Sequence, residues 1–383
     1  MSEAPAPVAP VREAPLPDLK SLPPEGLGEA LAELGERPFR ARQVGAWLHQ
    51  RFARSFAEMS DLSKALRAKL EARYTVARLS LTQVQRSRDG TVKFGFTTWD
   101  GRAIESVYIP EWSDRPGDQV APDWEPDRQT LCVSTQVGCA MGCAFCMTGT
   151  LGLIRNLEAG EILEQVYQVN RWLTEELGRR GPRPVGNLVF MGMGEPLHNY
   201  EQLKIALDHL VAKEGPNYST RHVTVSTSGL VPAMRRLVDE TDVRLAVSLT
   251  GTTDADRDRL MPVNRRWDIQ TLLDTCRELP LKKRDRVTFE YVLLRGETDS
   301  LQDAERLARL LRGLRSKVNL IAYNAGPGLG FERPDSAQVE AFRRRLVERG
   351  LTAVVRRSRG QDIDAACGQL AAKGAGAENA SAG

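Results

Sequence analysis

The chain has 383 residues, 53 of them Lys or Arg and 50 Asp or Glu, for a net charge of +3; 41% are hydrophobic and 27% charged. That length supports a sizeable core and two or three domains, and the composition excludes a disordered or fibrous chain. No apolar run approaches the roughly 18 residues of a membrane span, no cationic-then-apolar signal layout opens the chain, and six cysteines over this length do not make a disulfide scaffold.

Residues 1–24 hold seven prolines, so 1–25 is expected to be a disordered leader. Over 26–75 the apolar residues recur at helical spacing: Leu27, Leu31 and Leu34, then Val44, Trp47, Leu48 and Phe52, then Leu62, Leu66 and Leu70. This predicts a small helical accessory domain. Residues 76–129 read as a β-rich linker and loop, with turns at Asp89-Gly90 and Asp100-Gly101 around the alternating Val92, Phe94 and Phe96, and a loop rich in Asp, Pro and Trp over 111–129.

From residue 130 strands and helices alternate. The strand candidates are Leu131–Thr135, Leu188–Met191, Val223–Ser226, Leu245–Leu249, Val287–Leu294 and Val318–Tyr323. Helical stretches lie between them, such as 157–175, where Ile162, Val166, Val169 and Leu173 share a face. Six such units predict an α/β fold, a partial (βα)6 barrel over 130–370 with a flexible tail at 371–383. In barrels of this kind chemistry gathers at the C-terminal ends of the strands. Polar or glycine-rich signals follow five of the six: the cysteine loop, Gly192-Met-Gly-Glu-Pro196, Ser226-Thr-Ser-Gly229, Ser248, and Asn324-Ala-Gly326.

The cysteine loop carries Cys139, Cys143 and Cys146 at the spacing C-x3-C-x2-C, with Phe145 before the third. Three close thiolates can hold three irons of a cubic cluster and leave the fourth open to a ligand. The alternatives are a zinc knuckle, which wants a fourth Cys or His although the next histidine is His198, or three core cysteines. The loop resembles the signature of radical S-adenosylmethionine (SAM) enzymes, in which the open iron of a [4Fe-4S] cluster binds SAM and reductive cleavage gives a 5′-deoxyadenosyl radical.

Cys132 lies just before that loop, and Cys367 lies near the C-terminus within Arg359–Leu370. With Phe39-Arg-Ala-Arg-Gln43 and Trp47, Met59-Ser-Asp-Leu-Ser-Lys64 and Arg67, Glu105-Ser-Val-Tyr-Ile-Pro110, Cys132-Val-Ser-Thr-Gln136, Arg155-Asn-Leu157 and Ala365-Ala-Cys-Gly-Gln-Leu370, the chain resembles the rRNA/tRNA adenine C2-methyltransferases of the RlmN type, with Cfr as a near relative. The similarity runs from about residue 26 to 370.

The resemblance implies a two-step route that consumes two SAM per turnover. One SAM methylates Cys367. The radical from a second removes hydrogen from that S-methyl group, the carbon radical adds to the adenine ring, and Cys132 attacks the Cys367 sulfur, releasing methylated base through a transient disulfide. Glu105 matches the residue that accepts the ring proton. Gly194, Glu195, Ser226, Ser248, Leu249, Thr250 and Asn324 match the SAM site. Two features depart from the family: Thr250 stands where His is usual, and the segment between Pro110 and Cys132 is longer. Cys276 reads as an inert helix cysteine.

The implied substrates are an adenosine of 23S rRNA near the peptidyl-transferase centre and the adenosine 3′ of the anticodon in tRNAs. The base must be splayed from folded RNA, with scattered basic groups gripping the backbone: Arg37, Arg40 and Arg42; Arg179, Arg180 and Arg183; Lys282, Lys283 and Arg284; Arg343, Arg344 and Arg345; Arg356, Arg357 and Arg359. A reductase or flavodoxin-type electron donor, a monomeric state and a reducing cytoplasm are also expected. The competing readings are Cfr-like C8 methylation of the same rRNA adenosine, a non-catalytic iron–sulfur or zinc RNA-binding module, and a different radical SAM enzyme such as an activase.

Overall fold

The computed structural model describes residues 16–112, 126–179, 181, 183–282 and 285–371. Most of the expected leader, part of the long 111–129 loop, Arg180, Lys283, Arg284 and nearly all of the expected tail therefore lie outside the described residues.

Three helices, α1 (Gly26–Glu33), α2 (Phe39–His49) and α3 (Lys64–Glu71), pack around their own apolar cluster, including Leu27, Leu31, Val44, Leu48, Leu66 and Leu70. Ser63 caps α3 by accepting a hydrogen bond from the Leu66 amide at 3.2 Å.

Within the stretch placed by the sequence in the leader, Asp18, Leu19 and Lys20 are buried instead. Leu19 is 1% exposed and Lys20 0%. The Lys20 ammonium donates to Ala53 O at 3.1 Å, to Val76 O at 2.7 Å and to the Glu164 carboxylate. All three of its donors are satisfied, which is what makes a buried lysine tolerable. Local composition missed this because the partners are distant in sequence.

Among the described residues the main sheet has ten strands. The first four are antiparallel neighbours: β1 (Leu79–Arg86), β2 (Val92–Thr98), β3 (Ala103–Glu111) and β4 (Arg128–Cys132). The region expected to be a linker thus extends the barrel sheet. A separate hairpin, β5 (Gln136–Gly138) with β6 (Leu153–Asn156), brackets the cysteine loop and the short α4 (Met147–Thr150). After α5 (Ala159–Leu177) the parallel strands continue from β4 through β7 (Asn187–Phe190), β8 (Val223–Thr227), β9 (Arg244–Ser248), β10 (Val287–Leu293) and β11 (Ser316–Ala322). They are connected through α6 (Tyr200–Val211), α7 (Val231–Glu240), α8 (Asp254–Leu260), α9 (Ile269–Glu278) and α10 (Leu301–Leu310). These are the six expected units. After α11 (Ser336–Glu348) an unforeseen seventh parallel strand, β12 (Ala353–Arg356), joins β11; it is short and half-exposed, so its pattern is weak. The strand order is open, with β1 and β12 at its ends.

The strands have two unlike faces. In β11, Val318, Leu320 and Ala322 are buried while Lys317, Asn319 and Ile321 stay partly accessible, and β7 and β8 alternate likewise. The buried set packs under the helices with Leu203, Leu307 and Phe342. The other set lines an accessible hollow on the concave side.

Lys20→Met is expected to lower stability by about 3 kcal/mol, because it leaves Glu164 buried without its ammonium. The check is the urea midpoint at constant m-value; an unchanged midpoint would show that the strut is not needed.

Candidate active site

The sheet register builds the site. Cys132 lies opposite Val107 on one side and Val189 on the other, and Glu105 is two residues from Val107, so Glu105 and Cys132 share the hollow-facing side. Ser226 lies opposite Ala246, Ser248 opposite Glu290, and Glu290 opposite Asn319. These residues come from separate strands yet line one concave face.

The cysteine loop starts from a backbone that only glycine tolerates. Gly138 has φ +75°, and a Cβ there would lie 1.9 Å from Gly152 O. The tight hairpin lets the Cys139 amide donate to Gly152 O at 2.9 Å. Farther along, the Ala144 amide donates to Leu260 O at 3.0 Å and Cys146 leads into α4. Burial pushes the thiols of Cys139, Cys143 and Cys146 up, that of Cys139 to about 12; the charge of Cys146 adds to the effect at Cys139, and those of Cys146 and Cys139 add to it at Cys143. Bare thiolates are therefore costly here, and a metal that neutralises them resolves that cost. Among the described residues no three Cys, His, Asp or Glu converge on a point where one ion could sit. Three thiolates can each take one iron of a cubic cluster and leave the fourth iron open.

The Gly192–Pro196 loop packs against the end of β4. Gly194 has φ +100°, and a Cβ would lie 2.5 Å from the Gln136 Cβ. Gln136 accepts from the Glu195 amide at 2.8 Å and also contacts Asn156 and His198. The Glu195 carboxylate is engaged: it accepts from the Leu197 amide at 3.1 Å and the Ser228 amide at 2.8 Å. Through Gln136, on the strand that leads into the cysteine loop, this turn stands beside that loop. Leu249 is fully buried and its amide donates to Glu290 O at 2.9 Å. The Thr250 hydroxyl accepts from the Val292 amide at 3.2 Å. The residue that replaces the usual His thus ties the loop to β10.

The C-terminal segment folds back over these elements. The Met147 amide donates to Gly368 O at 2.8 Å, Thr148 Oγ1 to Leu370 O at 2.6 Å, and Asn324 Nδ2 to Cys367 O at 3.2 Å. The Ala371 amide donates to Glu105 Oε2 at 3.1 Å, while the Lys93 ammonium lies 3.2 Å from Glu105 Oε1. Asn324 Oδ1 also accepts from Arg333 and Gln361, so its side chain belongs to this clasp. Cys367 is exposed and Cys132 buried, and both are free thiols. Cys276 sits in the core on α9.

The sequence reading had not singled out Lys93 or Arg257. Arg257 is fully buried and donates to Ser228 O at 2.7 Å, Ser248 O at 3.2 Å and Asn264 Oδ1 at 2.9 Å, joining the tips of β8 and β9. No local pattern marks a helix arginine as buried. Arg356 had been grouped with phosphate-gripping residues; it turns into the hollow instead, with Nη1 3.7 Å from Met191 Sδ.

A family model described as the ribosomal RNA large subunit methyltransferase N-terminal domain matches residues 17–76, and one for the radical SAM superfamily matches 133–311. The chain is 59% identical to a dual-specificity RNA methyltransferase RlmN of Anaeromyxobacter dehalogenans (strain 2CP-C), over 94% of this chain and 92% of the relative. The chain belongs to the RlmN family of radical SAM RNA methyltransferases. A second RlmN relative, from Myxococcus xanthus (strain DK1622), is 53% identical over 98% of this chain and 97% of its own. The crystal structure of a radical SAM methyltransferase from Sphaerobacter thermophilus matches with a TM-score of 0.85 at 44% identity, covering 93% of this chain and all of the other. Membership of the RlmN family implies a [4Fe-4S] cluster and SAM, and the three-thiol donor set fits that cluster.

Gly138→Ala is expected to cost at least half of the iron–sulfur absorbance after reconstitution, with far-UV circular dichroism retained, because the hairpin that aims Cys139 cannot close. Full iron loading would refute this. Burial pushes the Cys132 thiol up to about 12 from 9.0; the neighbouring Cys367 adds to the shift and Arg356 offsets part of it. A thiol raised in this way stabilises the fold fully below its unfolded value and loses that contribution as pH climbs toward the folded one. At about pH 8, iodoacetamide should therefore label Cys367 far ahead of Cys132, and Cys132 labelling should rise about tenfold per pH unit. Equal labelling of the two in a peptide mass map would contradict the burial.

Proposed function

We propose that this enzyme methylates C2 of adenosine in 23S rRNA at the peptidyl-transferase centre and of the adenosine 3′ of the anticodon in tRNAs, through an S-methylcysteine on Cys367. The observation that carries the proposal is the folded-back C-terminal segment. It joins Cys367 to the cysteine loop through Gly368, to the strand ends through Asn324, and to Glu105 through Ala371.

In this reading Cys139, Cys143 and Cys146 hold the cluster, and Gly194, Glu195, Ser226, Ser248, Leu249, Thr250 and Asn324 line the SAM site, with two SAM consumed per methyl installed. Bound there, cluster and SAM supply the 5′-deoxyadenosyl radical. C2 of adenine is electron-poor and offers no nucleophile for polar methyl transfer, so the methyl must first sit on sulfur. Cys367 provides that sulfur from an exposed position beside RNA. Glu105, held at one oxygen by Lys93 and at the other by the Ala371 amide, is oriented to accept the ring proton, and the unpaired electron left on the adduct would pass back to the cluster. Cys132 then attacks the Cys367 sulfur. The S–S bond forms, the S–CH2 bond breaks with its electron pair going to carbon, and a proton completes the methyl group.

Arg37 and Arg42, exposed at the start of α2, and half-buried Arg40 supply positive charge for the RNA backbone. Among the described residues no helix is long and apolar enough to cross a membrane. We take the enzyme to be a cytoplasmic monomer reduced by a flavodoxin-type donor. The RlmN names of the curated relatives favour C2 over Cfr-like C8 chemistry.

The test is anaerobic turnover on unmodified 23S rRNA fragment and tRNA with nucleoside mass spectrometry. Wild type should yield 2-methyladenosine. Cys367→Ala should yield none, and Cys132→Ala should leave a covalent protein–RNA adduct. An 8-methyladenosine product, or 2-methyladenosine from Cys367→Ala, would overturn the proposal.

A further inference from the structure

Two hollow-facing side chains have no part in the chemistry above. Glu290 on β10 is 5% exposed; its Oε1 accepts from Asn319 Nδ2 at 2.8 Å, and its Oε2 has no hydrogen-bond partner among the described residues. Leaving a buried carboxylate oxygen unpartnered is costly, so such an atom points to a ligand donor. Arg356 on β12 lies opposite Ile321, two residues along β11 from the partner of Glu290. Its guanidinium carries five donors, yet among the described residues its one hydrogen-bond partner is the weak acceptor Met191 Sδ. The charges it feels are those of Cys367, then Glu290, Cys132 and Glu111, and Glu290 in turn feels Arg356 and Lys317. Register puts Arg356 on the same side of the sheet as Asn319, the partner of Glu290, and its contact with Met191 turns the guanidinium into the hollow.

We propose that Glu290 and Arg356 read the splayed adenine, Glu290 Oε2 accepting from the N6 amine and Arg356 donating to ring nitrogen N1. This rests on the C2 reading above. Along one edge adenine presents a donor at N6, an acceptor at N1 and then C2. Glu290, Arg356 and Cys367 offer an acceptor, a donor and a sulfur to match them. Guanine reverses both polar positions: its O6 would meet the carboxylate and its N1–H the guanidinium. Rejection then comes from buried mismatched groups, which discriminate more strongly than lost apolar contact. Ser248, opposite Glu290, keeps this subsite next to the expected SAM position.

The experiment measures RNA dissociation constants for the full-length, cluster-loaded enzyme on fragments carrying adenosine, purine riboside (no N6 amine), 1-deazaadenosine or 7-deazaadenosine at the target. Wild type should bind adenosine about tenfold or more tighter than purine riboside or 1-deazaadenosine, the scale of a hydrogen bond to a charged group, and 7-deazaadenosine like adenosine. Glu290→Ala should erase the purine riboside difference, and Arg356→Met the 1-deazaadenosine difference. Glu290→Gln, which can keep the Asn319 contact, guards against a folding defect and should weaken the preference. Iron–sulfur absorbance reports the fold throughout. Discrimination that persists in Glu290→Ala and Arg356→Met would overturn the subsite while leaving C2 chemistry intact. Discrimination against 7-deazaadenosine in place of 1-deazaadenosine, with an 8-methyl product, would overturn the C2 edge itself.

Discussion

Along β7, β8 and β11 every second residue is sealed beneath helices and its neighbours look into the hollow. Because a strand has a period of two, that partition fixes where each side chain can act. Cys132, Ser226, Glu290 and Asn319 fall on the inner set, and so does Glu105 on the antiparallel part of the sheet. A one-residue slip in any strand would exchange a functional group for a core residue. The apolar packing under Phe342, Leu307 and Leu203 thus holds the chemistry as well as the fold.

Much of this was legible in the chain. The six βα units, the turns at Asp89-Gly90 and Asp100-Gly101 and the cysteine loop announce themselves through spacing and turn chemistry, which are local. What stayed hidden depends on distant partners. Lys20 looks like one more polar residue in a proline-rich stretch until Ala53, Val76 and Glu164 surround it. Arg356 looks like the first member of a basic run until β12 aims it inward. Arg257 sits in a helix rich in charge, and only the fold reveals it gripping the carbonyls of Ser228 and Ser248. The β5–β6 hairpin is too short for a periodic signal, though Gly138 and Gly152 mark its ends.

The added antiparallel strands and the C-terminal segment work as one unit. Ser87 and the Arg88 amide bind Asp362, the Gly360 amide binds Asp89 Oδ2 at 3.0 Å, and the Lys93 ammonium reaches Asp364 O at 3.4 Å. The region resembling a linker in composition therefore anchors the segment that carries Cys367, and the sheet edge formed by β1 and β2 serves the far end of the chain.

With anchors on Asp89 before Cys367 and on Met147, Thr148 and Glu105 after it, the cysteine rides on a short span closed at both ends. A sulfur so confined explores a small volume, so its encounters with groups in the hollow are intramolecular ones. In the proposed route small thiols would therefore compete poorly for the adduct, and tethering would choose the resolving sulfur before any difference in reactivity counts.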